Sequence, residues 1–507
     1  MHAMTSRLKR RAPRPRPTPT RPRFLTVAAA LALAVPLTAV ATAGVAQASA
    51  SAPAPATASS AATVTVSGAT RYQEITGFGA SEAFGQAEAL QNQPASVQQQ
   101  VLNLLYSTSG GAGLTILRNE ISADAGTTIE PTAPSSPSAT PTYLPLSAIA
   151  DDGGQLWWAQ TIKQEYGVTD DFADAWSAPA FMKTNDSVDN GGTLCGAPGA
   201  AACASGDWRQ AYANYLAQYA KDYAAAGVPL RYVGPENEAN IGPDYDSMIM
   251  SPAQTANFME YLGPTLARSG LYTRAECCAT EGWDYAQQYA AAIEADPEAN
   301  AWTSLFTSHG YTEAPASPLA GWTKPVWETE WSTFETWDPA WNDGTDASGL
   351  SWAERIYTGL TSANLNAFLY WWGMSQTTEN GDNEGLVQLD PSTGTVTPSG
   401  RLWAFANYSR FVRPGAIRIG AASANSSLDV TAFRNTDGSV SIVVLNTAST
   451  AQTASFSVRA TGSASQVAIP YLTDNTNDVA AQAPLAVVHG SFGTTLPAGS
   501  LTTFVLR

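Results

Sequence analysis

The sequence predicts an α/β protein in which a (β/α)8 barrel carries a side β-sandwich. Eight short apolar runs before residue 404 are each followed by a helical segment, and eight such units are the number that closes a barrel. After Pro414 the pattern changes to strands that alternate apolar and polar residues. The 507 residues are too many for one small domain but suit a barrel with a smaller module.

Residues 1–48 have the order of a secretory signal. Eight basic residues and no acidic residue stand before Phe24, an apolar stretch follows, and residues 46–48 (AQA) match a cleavage site. Polar residues and Pro36 interrupt the apolar stretch, which argues against a membrane anchor. We therefore expect a secreted, extracellular protein whose mature chain begins near Ser49. Residues 49–62 contain only Ala, Ser, Pro and Thr, which predicts a flexible linker.

The eight runs predict the barrel strands in chain order. Most end in Gly, Trp, Arg, His or Glu, and helical patterns such as residues 208–226 lie between them. The runs are residues 75–79, 114–118, 171–176, 230–234, 275–278, 305–309, 325–330 and 367–372.

The C-terminal segment after Pro414 has the sequence pattern of a β-sandwich. Residues 428–433 and 440–445 alternate like half-buried strands, and the Asp437-Gly438 pair between them is a hairpin turn signal. Residues 501–506 form the last predicted strand. We expect this module to support the barrel rather than to bind carbohydrate by itself.

Composition excludes several classes of partner. Hydrophobic residues make up 44% of the chain, which is typical of a folded protein. The chain has 43 acidic and 26 basic residues, and eight of the basic residues belong to the signal. So acidic a surface repels nucleic acid and anionic membranes and suits a neutral ligand. We expect a monomer that binds neither nucleic acid nor membrane.

Cysteine and histidine are few. Cys195 and Cys203 flank a loop rich in Gly and Ala, so we expect them to pair in an oxidising compartment. Cys277 and Cys278 are adjacent and fit either a vicinal disulfide or two buried thiols. Beyond the signal only His309 and His489 remain, so we predict no metal, no cofactor and no Ser-His-Asp triad. His309 is interpreted as a core residue.

Two predicted strand ends carry glutamates. Residues 233–238 (VGPENE) close the fourth run with Glu238, and residues 326–330 (VWETE) close the seventh with Glu330. Barrel enzymes place catalytic groups at such ends, and a glycosidase needs one carboxylic acid and one carboxylate. Strand alternation places Glu236 on the face of Glu238 and Glu328 on the face of Glu330, so the pattern alone does not select between them.

Several stretches resemble glycoside hydrolase family 30 from about residue 64 to the C-terminus. The segment at residues 73–84 (QEITGFGASEAF) is similar to the family's first barrel strand. Further similar segments are residues 174–179 (DAWSAP), 182–185 (MKTN), 308–311 (SHGY) and 501–506 (LTTFVL). The chain also resembles subfamily 7, the fungal-type xylanases. This resemblance lies in Cys195, Cys203, residues 206–210 (GDWRQ) and the Cys277-Cys278 pair.

The resemblance implies a barrel fused to a sandwich that is built from both chain ends. We accordingly assign residues 75–404 to the barrel, and residues 63–74 with 405–507 to the sandwich. In the family the acid/base glutamate follows an Asn on strand four and the nucleophile ends strand seven, which implies Glu238 and Glu330 as catalytic residues. The usual Asn-Glu-Pro reads Asn237-Glu238-Ala239 here, a change that loosens the turn without removing a chemical group.

Five further positions are expected to bind substrate. Asn237 can form a hydrogen bond with the sugar 2-OH, a contact that strengthens in the transition state. Tyr311 resembles the residue that donates to the nucleophile, and Arg118 either keeps that carboxylate ionised or pairs inside the barrel. Trp176 and Trp371 resemble platforms on which a sugar ring stacks.

The expected function is cleavage of a polysaccharide, with xylan as the first candidate. An endo-β-1,6-galactanase, or another β-glycanase of the family, is the alternative enzyme, since one barrel supports many substrates. A non-catalytic carbohydrate-binding protein is the alternative of another class. Some glucuronoxylan-specific members carry an Arg where Gln86 stands, so neutral Gln86 weakens the expectation that an acidic branch is recognised.

Overall fold

A computed structural model describes residues 61–377, 382–463 and 465–507. The predicted signal and nearly all of the predicted linker lie outside these described residues. Within them, no helix has both the length and the apolar character needed to cross a bilayer.

Eight parallel strands close into the predicted barrel. The ring closes because the last barrel strand pairs with both the first and the seventh. After β1 (Ala62–Ile75), the barrel strands are β2 (Gly77–Ser81), β3 (Ile116–Glu120), β4 (Asp170–Asp174), β5 (Tyr232–Gly234), β6 (Arg274–Thr280), β7 (Thr303–His309), β8 (Val326–Glu330) and, following a short β9 (Thr333–Thr336), β10 (Ala367–Gln376). β9 pairs with β11 (Asp382–Asn383), and β12 (Gly385–Asp390) and β13 (Thr395–Pro398) extend the sheet beside β10.

Helices surround the barrel. α6 begins with a capping box in which Ser251 accepts from the backbone of Gln254, and the predicted helical pattern at 208–226 is α5. The helices are α1 (Gln86–Gln91), α2 (Ala95–Tyr106), α3 (Ala150–Gly153), α4 (Gln155–Tyr166), α5 (Arg209–Ala225), α6 (Pro252–Arg268), α7 (Trp283–Ala295), α8 (Pro297–Trp302), α9 (Gly349–Thr361) and α10 (Gly400–Ser409). Two 3-10 turns lie at Leu146–Ile149 and Ala180–Met182.

A closed apolar layer fills the barrel interior. The indole of Trp327 meets the rings of Phe172 and Tyr232 edge-on, with ring centres 5.5 and 5.4 Å apart. Ile116, Leu305, Ala367 and Leu369 complete this buried cluster. The layer gives the strand ends above it a rigid support.

The C-terminal strands and β1 form a curled ten-stranded sheet, which confirms a sandwich built from both chain ends. β1 is 14 residues long and runs antiparallel to one C-terminal strand and parallel to another. The C-terminal strands are β14 (Ala416–Ser423), β15 (Leu428–Arg434), β16 (Val440–Asn446), β17 (Gln452–Arg459), β18 (Val467–Asp474), β19 (Asn477–Ala481), β20 (Leu485–Ala486), β21 (Ser491–Leu496) and β22 (Ser500–Leu506).

α10 links the two modules. It packs on β2 and β12 of the barrel sheet and on β18 and β22 of the sandwich. Asn407 donates to Thr473 at 2.5 Å and its backbone carbonyl accepts from Thr503 at 2.7 Å. α10 also crosses the boundary between barrel and sandwich that we assign between residues 404 and 405. That domain boundary stays a prediction.

Both cysteine pairs form disulfides. Cys195 and Cys203 are bonded with Cα atoms 5.7 Å apart, which confirms the expected pair. Cys277 and Cys278 form a vicinal disulfide within β6, so the question that the sequence left open is answered in favour of the bond.

Candidate active site

Glu238 and Glu330 meet at the carboxyl-terminal mouth of the barrel. Glu330 is the last residue of β8, and Glu238 follows the end of β5 by four residues. One carboxylate oxygen of each, together with a ring nitrogen of His309, lies within 4.8 Å of the others. Both glutamates are buried. The fold therefore brings together the two acids that the sequence singled out.

A strained turn presents Glu238. Its φ angle is +48°, a region that non-glycine residues rarely adopt. Two hydrogen bonds hold this backbone, because Glu238 N donates to Ala279 O at 2.7 Å and Ala239 O accepts from Met250 N at 3.0 Å. These bonds fix the turn without the proline that is usual after the glutamate.

Glu330 is surrounded by groups that favour its charged form. The Arg118 guanidinium donates to Oε2, and the Tyr311 hydroxyl donates to Oε1 at 2.9 Å. Burial raises the pKa of Glu330, and the charge and hydrogen bond of Arg118 oppose that rise. A carboxylate that is held by a cation and a phenol is suited to act as a nucleophile.

Glu238 has a different environment. Burial raises its pKa to about 7, opposed by the charge of Arg118 and by Tyr245, whose hydroxyl lies 3.5 Å from Oε2. Arg118 donates to Glu330 and not to Glu238. Two neighbouring carboxyl groups in such unequal surroundings separate into an acid and an anion.

His309, which we interpreted as a core residue, lies between the two glutamates. Its Nδ1 is 3.0 Å from Oε1 of Glu238, and its Nε2 is 3.8 Å from Oε2 of Glu330. Burial lowers the pKa of His309 to about 4, so the ring is neutral at physiological pH. His309 ends one of the eight predicted barrel strands, and this position was a sequence signal for a site residue that our interpretation did not use.

Arg118 organises the floor of the site. It forms a two-pronged ion pair with Asp174, with Nε–Oδ1 and Nη2–Oδ2 distances of 3.0 and 2.9 Å, and it donates to Asn237 Oδ1 at 2.5 Å. Burial alone would lower the pKa of Arg118, but the charges of Asp174 and Glu330 raise it above its ordinary value. Arg118 therefore pairs inside the barrel and also contacts Glu330, the two positions that its interpretations require. Asp174 is a partner that the sequence analysis missed.

Aromatic rings cover the Arg118 side of the site. The guanidinium carbon lies 4.4 Å from the ring centre of Trp176, whose ring centre is 5.7 Å from that of Trp371. Phe84 meets Trp176 edge-on at 5.2 Å, and Trp372 stacks on Trp371 at 4.9 Å. The two predicted tryptophans are thus neighbours at the mouth.

The two competing glutamates form hydrogen bonds with a neighbouring hydroxyl and with the backbone. Glu236 accepts from the Thr255 hydroxyl of α6 at 2.9 and 2.8 Å, and Glu328 accepts from the backbone of Glu330 at 3.0 Å. The expectation that Glu236 shares the face of Glu238 was wrong, because β5 ends at Gly234 and strand alternation stops there.

Two further features bear on what the site can bind. The cluster of Glu238, His309 and Glu330 has the composition of a metal site, but the Arg118 cation already occupies an oxygen of Glu330. Gln86 is fully buried and accepts from the backbone of Gln376 at 3.1 Å. A uronate would reach this position only if the surrounding residues moved.

A (β/α)8 barrel with two buried carboxylates at its mouth, in unequal surroundings, defines a glycoside hydrolase. The chain belongs to glycosyl hydrolase family 30: residues 75–329 match the family's TIM-barrel domain and residues 415–504 match its β-sandwich domain. The family resemblance is therefore confirmed, and the subfamily stays a prediction.

Relatives within the family carry different names. The catalytic domain of GH30 xylanase C from Talaromyces cellulolyticus superposes with a TM-score of 0.82 at 43% identity, over 88% of this chain and 100% of that domain. Glucuronoxylanase XynC of Bacillus subtilis (strain 168) is 28% identical over 59% of this chain and 66% of its own length. Lysosomal acid glucosylceramidase of Mus musculus is 25% identical over 55% of this chain. The match spans 56% of the mouse enzyme.

Proposed function

We propose that this protein is a secreted, retaining β-glycoside hydrolase that cleaves xylan by double displacement, with Glu330 as nucleophile and Glu238 as acid/base. The observation that carries the proposal is the proximity of the two carboxylates, which have oxygens within 4.8 Å of each other. Retaining enzymes hold their carboxyl groups about 5–5.5 Å apart, whereas inverting enzymes leave room for a water between them.

In the first step Glu238 donates its proton to the glycosidic oxygen while an oxygen of Glu330 attacks the anomeric carbon. The bond to the leaving sugar breaks and a covalent glycosyl-enzyme forms. In the second step Glu238, now a carboxylate, takes a proton from water. That water displaces Glu330 from the anomeric carbon, and the two inversions give net retention.

The neighbouring side chains prepare these steps. Arg118 and Tyr311 stabilise the charge of Glu330 before attack. Arg118 also engages the Asn237 oxygen, so the amide nitrogen is the atom that can donate to the sugar 2-OH. Neutral His309 fixes the orientation of Glu238, and Trp176 and Trp371 provide apolar ring surface for the sugar.

We expect a bell-shaped pH dependence of kcat/KM. Glu238 must hold its proton, so the rate should fall as the pH rises through about 7, where this group ionises. Glu330 must be charged, so the rate should fall again as the pH decreases through its pKa. On an aryl substrate that needs no acid, kcat/KM of the wild type should therefore lack the alkaline limb. An alkaline limb that persists on that substrate would mean that another group causes it.

Xylan is the proposed substrate because two of the relatives described above are named xylanases. The test compares unsubstituted xylan, glucuronoxylan and β-1,6-galactan as substrates. We expect oligosaccharide products from xylan and none from galactan. The first products should have the β configuration by NMR. Products from galactan alone would make the protein a galactanase. Binding to xylan without release of reducing sugar would instead indicate a non-catalytic carbohydrate-binding protein.

Export of the chain and a monomeric state are also part of the proposal.

A further inference from the structure

Phe334 is an exposed apolar side chain beside the nucleophile. It lies on β9, four residues after Glu330, and 62% of its surface is accessible. Its ring stacks on Tyr311 with centres 5.6 Å apart and planes 26° from parallel, and Tyr311 donates to Glu330. Exposing a phenylalanine gains nothing for folding. A ring held flat on an active-site tyrosine instead provides an apolar surface at the mouth.

Tyr245 is another exposed aromatic side chain near the paired glutamates. It follows Glu238 on the loop after β5, 48% of it is accessible, and its hydroxyl lies 3.5 Å from Oε2 of Glu238. By contrast, Trp176 and Trp371 beside Arg118 are 3% and 7% accessible. The site thus has an enclosed aromatic group and an open one.

The two groups are connected to different oxygens of Glu330. Arg118, with the enclosed tryptophans, holds Oε2, whereas Tyr311, with Phe334, holds Oε1. Asn237, which is poised to bind the 2-OH of the attacked sugar, is bonded to Arg118. The attacked sugar therefore belongs on the Arg118 side. The leaving sugar must lie next to Glu238, which protonates its oxygen, and Tyr245 contacts that glutamate.

We propose, on the basis of the proposed function, that Phe334 and Tyr245 form the subsite for the leaving sugar. Each presents an aromatic ring to a pyranose, whose C–H face is apolar. The openness of this pair suits its role, because the leaving sugar must depart between the two steps. The same subsite then admits the water, or an acceptor sugar, that resolves the glycosyl-enzyme.

A pair of substrates isolates this subsite. Xylotetraose places sugars on both sides of the cleaved bond, whereas β-xylobiosyl fluoride has a fluoride in place of the leaving sugar. We expect Phe334→Ala to lower the ratio of kcat/KM for xylotetraose to kcat/KM for the fluoride about tenfold, the loss expected for one ring stacking. Phe334→Tyr, which keeps the ring, should restore the ratio. Because Phe334 is exposed, both variants should fold, as circular dichroism and melting would show.

Phe84→Ala is the matched control. It removes an exposed phenylalanine from the Arg118 side, so it should lower both kcat/KM values and leave their ratio unchanged. An unchanged ratio in Phe334→Ala, or an equal fall on both substrates, would overturn the assignment. A wild-type protein that cleaves neither xylotetraose nor the fluoride would refute the proposed function, and the subsite with it. Wild-type activity on both separates a failure of the subsite from a failure of the function.

Discussion

Glu330→Gln should abolish turnover on every glycoside substrate, with a loss of about 10⁴-fold or more, as is typical when a nucleophile is removed. A neutral amide cannot attack the anomeric carbon. The amide has the shape of the carboxylate, and its oxygen can still accept from Arg118 or Tyr311, so the variant should fold. The measurement is kcat/KM on xylan and on an aryl xyloside, with circular dichroism as a check of folding.

Glu328→Gln is the matched control for this variant. Glu328 is a buried glutamate in the same strand, but it accepts from backbone groups and not from Arg118 or Tyr311. We expect it to change stability more than chemistry. Activity of Glu330→Gln within tenfold of the wild type would remove Glu330 from the role of nucleophile, whatever the control shows.

The barrel, and the two strand ends that carry glutamates, could be predicted from the sequence pattern for a physical reason, whereas the choice of Glu238 and Glu330 came from the family resemblance. Parallel barrel strands are buried on both faces, so they appear as short apolar runs, and the residues that end them must lie at one mouth. Glu330 ends such a run directly. Glu238 was harder to place, because four irregular residues separate it from β5.

The remainder of the site depends on which strands become neighbours. Asp174 ends β4 and His309 ends β7, yet their partners Arg118 and Glu238 are 56 and 71 residues away. No local pattern specifies such pairs, because they form only when the barrel closes. The error over Glu236 has a local cause instead, since alternation was extended past the end of the strand.

The enclosed and the open aromatic groups of the site could not be told apart from the sequence either. The family resemblance pointed to Trp176 and Trp371, but nothing in their spacing separates an enclosed ring from an open one. Phe334 was not singled out at all, because a lone phenylalanine in a sequence usually belongs to a core. Its exposure and its stacking on Tyr311 become visible only in the folded chain.

Glu238→Gln should also disable cleavage of xylan, but it should differ from the nucleophile variant on a substrate with a good leaving group. Xylan has a poor leaving group that needs a proton, so the first step should fail. An aryl xyloside with a strongly acidic phenol departs without help, and the variant should then form the glycosyl-enzyme at Glu330. The reaction should stall there, since no base remains to activate water. Mass spectrometry should detect the trapped adduct.

Azide tests the same assignment by product. It is a nucleophile that needs no base, so it should rescue Glu238→Gln and give a β-glycosyl azide with net retention. Glu330→Gln cannot form the covalent intermediate, and azide there can give only the α-azide. The configuration of the product, read by NMR, therefore separates acid/base from nucleophile independently of the rates.

Glu236→Gln is the control for the acid/base assignment. Glu236 is also a buried glutamate, and its pKa is raised to about 8 by burial, but its carboxylate accepts from Thr255 and takes no part in the pair. It should show no azide rescue. Near wild-type activity of Glu238→Gln on xylan would transfer the acid/base role to Glu236.

The stereochemistry of the wild-type reaction tests the double displacement itself. Two carboxylate oxygens within 4.8 Å leave little room for the water that an inverting mechanism places between acid and base, so we expect retention. Release of sugar with inverted configuration would reject the double displacement altogether.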